Sequence, residues 1–359
     1  MKIIKVGSDF SGVGAFNQAL TRLGVEYQEV FACDMDKYAR QTFIHNYGEP
    51  KYYPTNVYDR EIPSESLDIY MTSPPCQAFS LAGKRLGKDD KRGILFFNSY
   101  EFIQVNNPRF FIFENVKGLL SDDGGNTFQE WINMLGGRSF NGLPILFPYD
   151  NALPYHLYWQ VLNAKHHGVP QNRERVFLIG IRDDKDNNFR FPAEEHLSKR
   201  LKDVLEEEVN DKYFLSEEAR EGDSINFSVP NSETRRGRVG KGVAQTLDTG
   251  CNQGVIYNDK RLNETISKNT LKEGEIKMLD TYNKSIHDEC PTLKARENDH
   301  LKLSDGYKIR RLTPRECFRL MDFPDTFTWD VSDSQAYKQA GNSIVVRVLE
   351  KIIKNLLQI

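Results

Sequence analysis

Cys76 is preceded by two prolines and followed by glutamine in SPPCQAFSLAGKRLGKDDKRG, residues 73–93. Pro74 and Pro75 each fix a backbone angle and so restrict where the sulfur can point. A positioned thiol with basic residues behind it is a candidate nucleophile, because nearby positive charge favours the thiolate. A lone cysteine is ordinarily a small buried hydrophobe, but the Pro-Pro-Cys-Gln setting reverses that expectation. Glu114 follows four apolar residues, Phe110 to Phe113. An acid so placed needs a partner, and burial raises its pKa toward the range of a general acid. Taken alone, Glu114 reads as the entry to a helix. In QNRERVFLIGIR, Arg173 and Arg175 lie two apart, so on extended backbone they share a side and make a clamp for an anion or a carbonyl oxygen.

A second group of residues suits a cofactor. The apolar run Ile3 to Val6 leads into DFSGVGAF, residues 9–16, where Gly12 and Gly14 let the backbone pass close to a ligand. At the tip of the next apolar run, Asp34 suits the two hydroxyls of an adenosine ribose. Alone, this pattern fits NAD, S-adenosylmethionine or an ordinary glycine turn beside a solvated acid. Phe16 and Asn17 stand where a third glycine is expected, which disfavours a dinucleotide.

The elements that must carry these residues form an α/β pattern. Ile3–Val6, Glu29–Cys33, Leu67–Met71, Phe110–Phe113 and Val176–Ile181 read as buried strands. Gly14–Leu23, Lys37–Asn46 and Phe96–Gln104 read as the helices between them. The fold predicted is a doubly wound, mostly parallel sheet of Rossmann-like type, with a smaller irregular domain. Gly136–Leu157, rich in Gly, Pro and Asn, reads as a surface excursion with little regular structure. Val345–Leu357 places Val348, Leu349, Ile352, Ile353, Leu356 and Leu357 on one helical stripe, which must dock, and the α/β domain is the expected host.

The 359 residues allow one large or two moderate domains. No apolar run approaches a membrane span or a signal peptide, so a cytoplasmic protein without membrane contact is expected. Cys33, Cys76, Cys251, Cys290 and Cys317 have neither disulfide nor zinc spacing, and the adjacent His166 and His167 do not easily face one site, so no metal is expected. The net charge of -3 argues against holding polyanions by bulk electrostatics, so charge must be read by segment.

FSGVG, SPPCQAFS, FENV, QNRERV, RRLTPRECFRLMDFP and YKQAGNSIVVRVL occur here in the order and spacing of C5-cytosine DNA methyltransferases of the bacterial and phage type. The chain resembles that family over residues 1–182 and 308–359. The resemblance implies a thiolate, Cys76, that adds to C6 of a flipped-out cytosine so that C5 accepts a methyl group from S-adenosylmethionine. It assigns Glu114 to N3 and the exocyclic amine, Arg175 to O2, and Arg173 to the vicinity of the thiol. For the cofactor it implies Phe10, Ser11, Gly12, Val13 and Gly14 around the methionine portion, Asp34 on the ribose and Met35 against adenine. Asn56 and Val57 follow, with Pro75, Leu95, Asn342 and Ser343 completing the pocket. Asn56 departs from the family's usual Asp, though its oxygen still offers an acceptor to the adenine amine.

For duplex DNA, the loop carrying Ser80, Lys84 and Arg85, with Gly83, Gly87 and Gly93 as joints, suits closure around an extruded base. Arg235, Arg236, Arg238 and Lys241 form a basic run with no acid before Asp248. Thr246-Leu247 and Thr292-Leu293 both match the Thr-Leu pair of the family's recognition domain, and the choice between them stays open. The expected division is a catalytic domain over 1–185, a target-recognition domain and hinge over 186–333, and a returning segment over 334–359. The expected protein is a monomer in restriction–modification or phage self-protection, with a separately encoded endonuclease as possible partner. Among rivals, a dehydrogenase leaves Cys76, Glu114 and the arginine pair unexplained, and an inert DNA-binding regulator has no use for them. A tRNA methyltransferase of the same family lacks support, because Cys317-Phe318 is followed by Arg319 instead of Thr.

Overall fold

The computed structural model describes residues 3–75, 94–185, 188–207 and 312–359, together with short strands between 224 and 310. Strands β1 (Ile4–Asp9), β2 (Tyr27–Cys33), β3 (Ile69–Thr72) and β4 (Phe110–Val116) pair in parallel in the order β2-β1-β3-β4. Helices α1 (Ala15–Arg22), α2 (Lys37–Tyr47) and α3 (Ile94–Asn106) fall between them in the chain. Strands buried on both faces should read as unbroken apolar runs, and β4 shows why. Phe110 and Ile112 enter one apolar layer with α1, while Phe111 and Phe113 enter the opposite layer with α3. Each face is covered by helices, as a doubly wound sheet requires.

Beyond β4, helix α4 (Asn126–Leu135) leads to β5 (Ser139–Phe140), β6 (Leu143–Pro144), β7 (Tyr155–Asn163), β8 (Gln171–Asn172) and β9 (Glu174–Arg182). The main sheet has eight strands in the order β2-β1-β3-β4-β9-β7-β5-β6. Here β9 runs antiparallel to both β4 and β7. The reason is connectivity: only the 3₁₀ turn Ala164–His167 and the short β8 lie between β7 and β9, far less than the crossover a parallel pair needs. The predicted excursion over 136–157 holds the small β5-β6 hairpin and the first residues of β7. The pattern hid β7 because His156, Gln160 and Asn163 interrupt its apolar residues.

Three helices close the fold: α5 (Pro314–Leu320), α6 (Asp333–Asn342) and α7 (Val346–Leu357). Thr313 and Glu316 start α5 with a capping box, and Pro314 supplies its preset first turn. Val346, Val348, Leu349, Ile352, Ile353 and Leu356 of α7 are buried in the layer that also holds Ala15, Phe16, Ala19 and Leu20 of α1. The docking stripe expected near the chain's end therefore sits on the α/β domain. Segments on the far side of the 185 and 333 boundaries join the same layer, through Phe189, Leu201 and Val204 and through Leu312, Phe318 and Phe327.

Between 224 and 310, short antiparallel strands form a three-stranded and a four-stranded sheet. Cys290–Pro291 pairs in parallel with β8. Among the described residues, no helix is long and apolar enough to cross a membrane.

Candidate active site

Glu114 and Arg175 meet because of strand register. Glu114 lies opposite Phe177 and Val116 opposite Arg175 in the antiparallel β4-β9 pair, which puts Glu114 and Arg175 diagonally on one face. The Nε of Arg175 stands 3.1 Å from Glu114 Oε1. Arg175 also donates from Nη1 to the Glu174 carbonyl at 2.7 Å, which fixes its fork. Glu114 is only 8% exposed. Burial raises its pKa, opposed by the charges of Arg175 and then Arg173. The carboxyl is thus kept largely from water at the carboxyl end of a strand, where open α/β sheets place ligands, and burial favours its protonated form.

Arg173 is buried and donates from Nη2 to the carbonyl oxygens of Gly341 at 3.0 Å and Ser343 at 2.8 Å. It thereby ties the end of α6 to the strand that carries Arg175. Burial, then the like charge of Arg175, lowers its pKa, with Glu114 opposing. Cys76, the residue Arg173 is expected to approach, lies outside the described residues.

Asn115, beside Glu114, is a residue at this site that the sequence reading missed. It is buried, its Nδ2 donates to the Pro74 carbonyl at 3.1 Å, and its Oδ1 accepts the Val116 N–H at 2.8 Å. Successive prolines offer no N–H, so a Pro-Pro turn can be fixed only through its carbonyls. That was the available signal: a side-chain donor had to come from somewhere, and Asn115 beside Glu114 supplies it.

The cofactor segments gather at the carboxyl ends of β1 and β2. Phe10 and Gly12 adopt left-handed backbone with φ of 57° and 55°, and Gly14 follows at 86°. A Cβ on Gly14 would stand 2.3 Å from Tyr47 Cε2, so the turn and its tight approach to α2 both require glycine there. A Cβ on Gly12 would meet nothing, since the backbone faces open space. Asp34 accepts the Gly12 N–H at 2.7 Å and the Asp36 N–H at 2.8 Å, one on each oxygen. Each oxygen keeps a lone pair for a further donor. Asp36 in turn caps α2 through the Tyr38 and Ala39 N–H groups and pairs with Lys338 of α6 at 2.5 Å.

Phe10, Val57 and Leu95 belong to one apolar layer, and Val57 is buried in it. Met35 stands 85% exposed. Ser11 holds Cys33 O through its N–H and meets the Tyr53 hydroxyl at 3.2 Å. Val13 is buried, Pro75 and Asn342 are exposed, and Ser343 is buried with its carbonyl held by Arg173. Asn56 forms a local turn, its Oδ1 accepting the Tyr58 N–H at 3.0 Å and its Nδ2 donating to Asp59 at 2.8 Å. One lone pair of that oxygen remains for an exocyclic amine. A glycine turn facing open space, a half-buried acceptor with spare lone pairs and an exposed thioether suit a ribose with an adenine, so the residues present fit S-adenosylmethionine.

Ser80, Lys84, Arg85, Arg235, Arg236, Lys241, Thr246 and Thr292 lie outside the described residues. Arg238 opens the short strand Arg238–Gly240 beside Ser224–Asn226.

Comparison with known proteins matches residues 4–358 to the model of a family described as C-5 cytosine-specific DNA methylase. The chain is 33% identical to the orphan methyltransferase M.SPRI of Bacillus phage SPR, over 99% of this chain and 97% of that protein. It is likewise 33% identical to the type II methyltransferase M.HhaI of Haemophilus parahaemolyticus, covering 97% and 92%. Among solved structures, a putative DNA modification methyltransferase encoded within an E. coli prophage superposes with a TM-score of 0.63 at 22% identity, covering 99% of each chain. Dnmt2 of S. pombe gives 0.60 at 20%, covering 99% and 98%. At those identities the two structures speak for the fold.

Proposed function

Because the chain belongs to the C-5 cytosine-specific DNA methylase family, and so methylates C5 of cytosine in DNA with S-adenosylmethionine as donor, we propose that Cys76, Glu114, Arg173 and Arg175 carry the chemistry. The observation that carries this reading is the largely buried Glu114–Arg175 pair, joined by Asn115 to the turn that immediately precedes Cys76. A flipped-out cytosine resists attack at C6 unless the charge arriving on its ring is neutralised. Protonated Glu114 gives a hydrogen bond to N3 and accepts one from the exocyclic amine, while Arg175 holds O2. The Cys76 thiolate then forms a bond to C6. S-adenosylmethionine, when bound, supplies a methyl group on a positively charged sulfur. Loss of the C5 proton and departure of Cys76 restore the aromatic ring and the enzyme.

Phe10, Ser11, Gly12, Val13, Gly14, Asp34, Met35, Asn56, Val57, Pro75, Leu95, Asn342 and Ser343 are the residues we assign to the cofactor. Ser80, Lys84, Arg85, Arg235, Arg236, Arg238, Lys241, Thr246 and Thr292 are those we assign to DNA. We assign residues 186–333 to target recognition and its hinge, with Phe189, Leu201, Val204, Leu312, Phe318 and Phe327 of that stretch packing into the catalytic core, and residues 334–359 to the returning segment. The protein acts as a cytoplasmic monomer on duplex DNA, and in a restriction–modification setting its partner is a separately encoded endonuclease.

Duplex DNA carrying 5-fluorocytosine at the target tests the mechanism, because fluorine blocks the final elimination. A stable covalent complex is expected only with S-adenosylmethionine present and Cys76 intact. Trapping that persists in Cys76→Ala would refute it. Bisulfite sequencing of DNA from expressing cells reads activity and target sequence together.

A further inference from the structure

Asp9 ends β1 and is 1% exposed, yet it carries a carboxylate into the interior. Arg60 meets it with a fork: Nε lies 2.8 Å from Oδ1 and Nη2 lies 2.6 Å from Oδ2. The Tyr70 hydroxyl of β3 donates to the same Oδ2 at 2.6 Å. Arg60 Nη2 also donates to the Asn98 carbonyl of α3 at 3.0 Å, and its guanidinium lies over the Phe102 ring at 4.8 Å. Phe102 in turn stacks on Tyr70, with centroids 4.1 Å apart.

A buried ion pair is a poor device for stability, since an apolar set of equal volume often does as well or better without the cost of desolvation. What this one does is join four segments, each contributing to the cofactor pocket. Asp9 adjoins the strained Phe10 and the Gly12–Gly14 turn, and Arg60 ends the segment that holds Asn56 and Val57. Tyr70 lies on the strand that leads to Pro75, and Asn98 is one turn of α3 beyond Leu95. Left-handed backbone at a non-glycine residue persists only where its surroundings over-determine it, and three donors on the carboxylate just before Phe10 provide that restraint.

We propose that the Asp9–Arg60–Tyr70 cluster is a positioning device for the S-adenosylmethionine pocket, setting the Phe10–Gly14 turn against the Asn56–Val57 segment and α3. This rests on the cofactor assignments made above. None of the three side chains touches the reacting atoms, so the cluster acts on affinity for the donor and not on the chemical step.

The test compares wild type with a triple variant, Asp9→Leu, Arg60→Met and Tyr70→Phe, which replaces the whole polar set by apolar groups of similar volume and strands none of its members. Calorimetric S-adenosylmethionine binding, kcat, the KM for each substrate and Tm are measured on each. The expected result is a Tm within about 3 °C of wild type and a cofactor Kd raised tenfold or more. kcat at saturating cofactor should stay within about threefold and the DNA KM should not move. A folded triple variant that binds the cofactor within twofold of wild type overturns the proposal. Should the triple variant fail to fold, Arg60→Lys, which keeps the charge and loses the fork, decides: an unchanged Kd overturns the proposal and a weakened one with unchanged kcat supports it. If wild type methylates DNA while Gly12→Val and Asp34→Ala bind the cofactor as tightly as it does, the assignments beneath the proposal fall, a failure distinct from an inert cluster.

Discussion

Glu114→Gln separates proton donation from shape. The amide fills the same volume and can still lie beside Arg175, whose Nε is 3.1 Å from the carboxylate. It can donate to N3 of the base and accept from the exocyclic amine as the acid does, but it cannot give up a proton. General acid catalysis is worth roughly 10² to 10⁴ in rate. At 8% exposure, water is poorly placed to stand in for the carboxyl, so the upper half of that range applies. We expect single-turnover methyl transfer to fall about 10³- to 10⁴-fold, which is about 4–5 kcal/mol on the barrier. The affinity for S-adenosylmethionine should hold within twofold, and Tm should move by only a few degrees. The assay is transfer of tritiated methyl to a duplex, with cofactor binding and Tm on the same preparations. Because burial raises the Glu114 pKa, the wild-type rate should fall as pH climbs past the ionisation of this acid, and the residual rate of the variant should lack that limb. A variant within tenfold of wild type, or one whose loss matches a loss of cofactor binding, would refute the assignment of Glu114 as the acid.

Two further outcomes follow from the same geometry. Gly14→Ala puts a Cβ 2.3 Å from the Tyr47 ring at a φ of 86°, so cofactor binding should weaken at least tenfold and stability should fall by about 1–3 kcal/mol, seen in calorimetry and thermal melts. Burial lifts the pKa of Glu29 to about 8, above the roughly 4.3 of an unfolded chain, so the folded state holds a proton that the unfolded state releases. The stability this contributes is complete below pH 4.3 or so and is lost as pH rises through about 8. Glu29→Gln should therefore melt a few degrees higher than wild type at pH 8.5–9, with the gap closing near pH 5, and a gap that does not vary with pH would contradict this.

Strands β1 to β4 and β9 were legible because a strand buried on both faces leaves an unbroken apolar run, as in Phe110 to Phe113. The direction of β9 was not, since it depends on the length of the link from β7, and β7 itself alternates with His156 and Gln160. Cys76, Glu114 and the two arginines stood out because their neighbours restrict them locally. Asn115 and Arg60 did not. Their partners lie 41 and 51 positions away, and within TNVYDREIP an arginine reads as a solvated loop residue until the fold brings Asp9 to it. Pairing across the chain is information that composition and period do not hold.

The packing of α7 on α1 has a consequence for synthesis. Arg22, at the end of α1, pairs with Asp322, 300 positions later, and Leu349 and Ile352 share a layer with Ala19 and Leu20. At roughly 5–20 residues per second, the apolar face of α1 waits on the order of half a minute on the ribosome before its cover is made. Throughout that interval the nascent chain offers a hydrophobic surface to chaperones and cannot complete the Arg173 anchorage to Gly341 and Ser343. Chains that stop before α7 should therefore leave this face of α1 uncovered and lack the Arg173 anchorage.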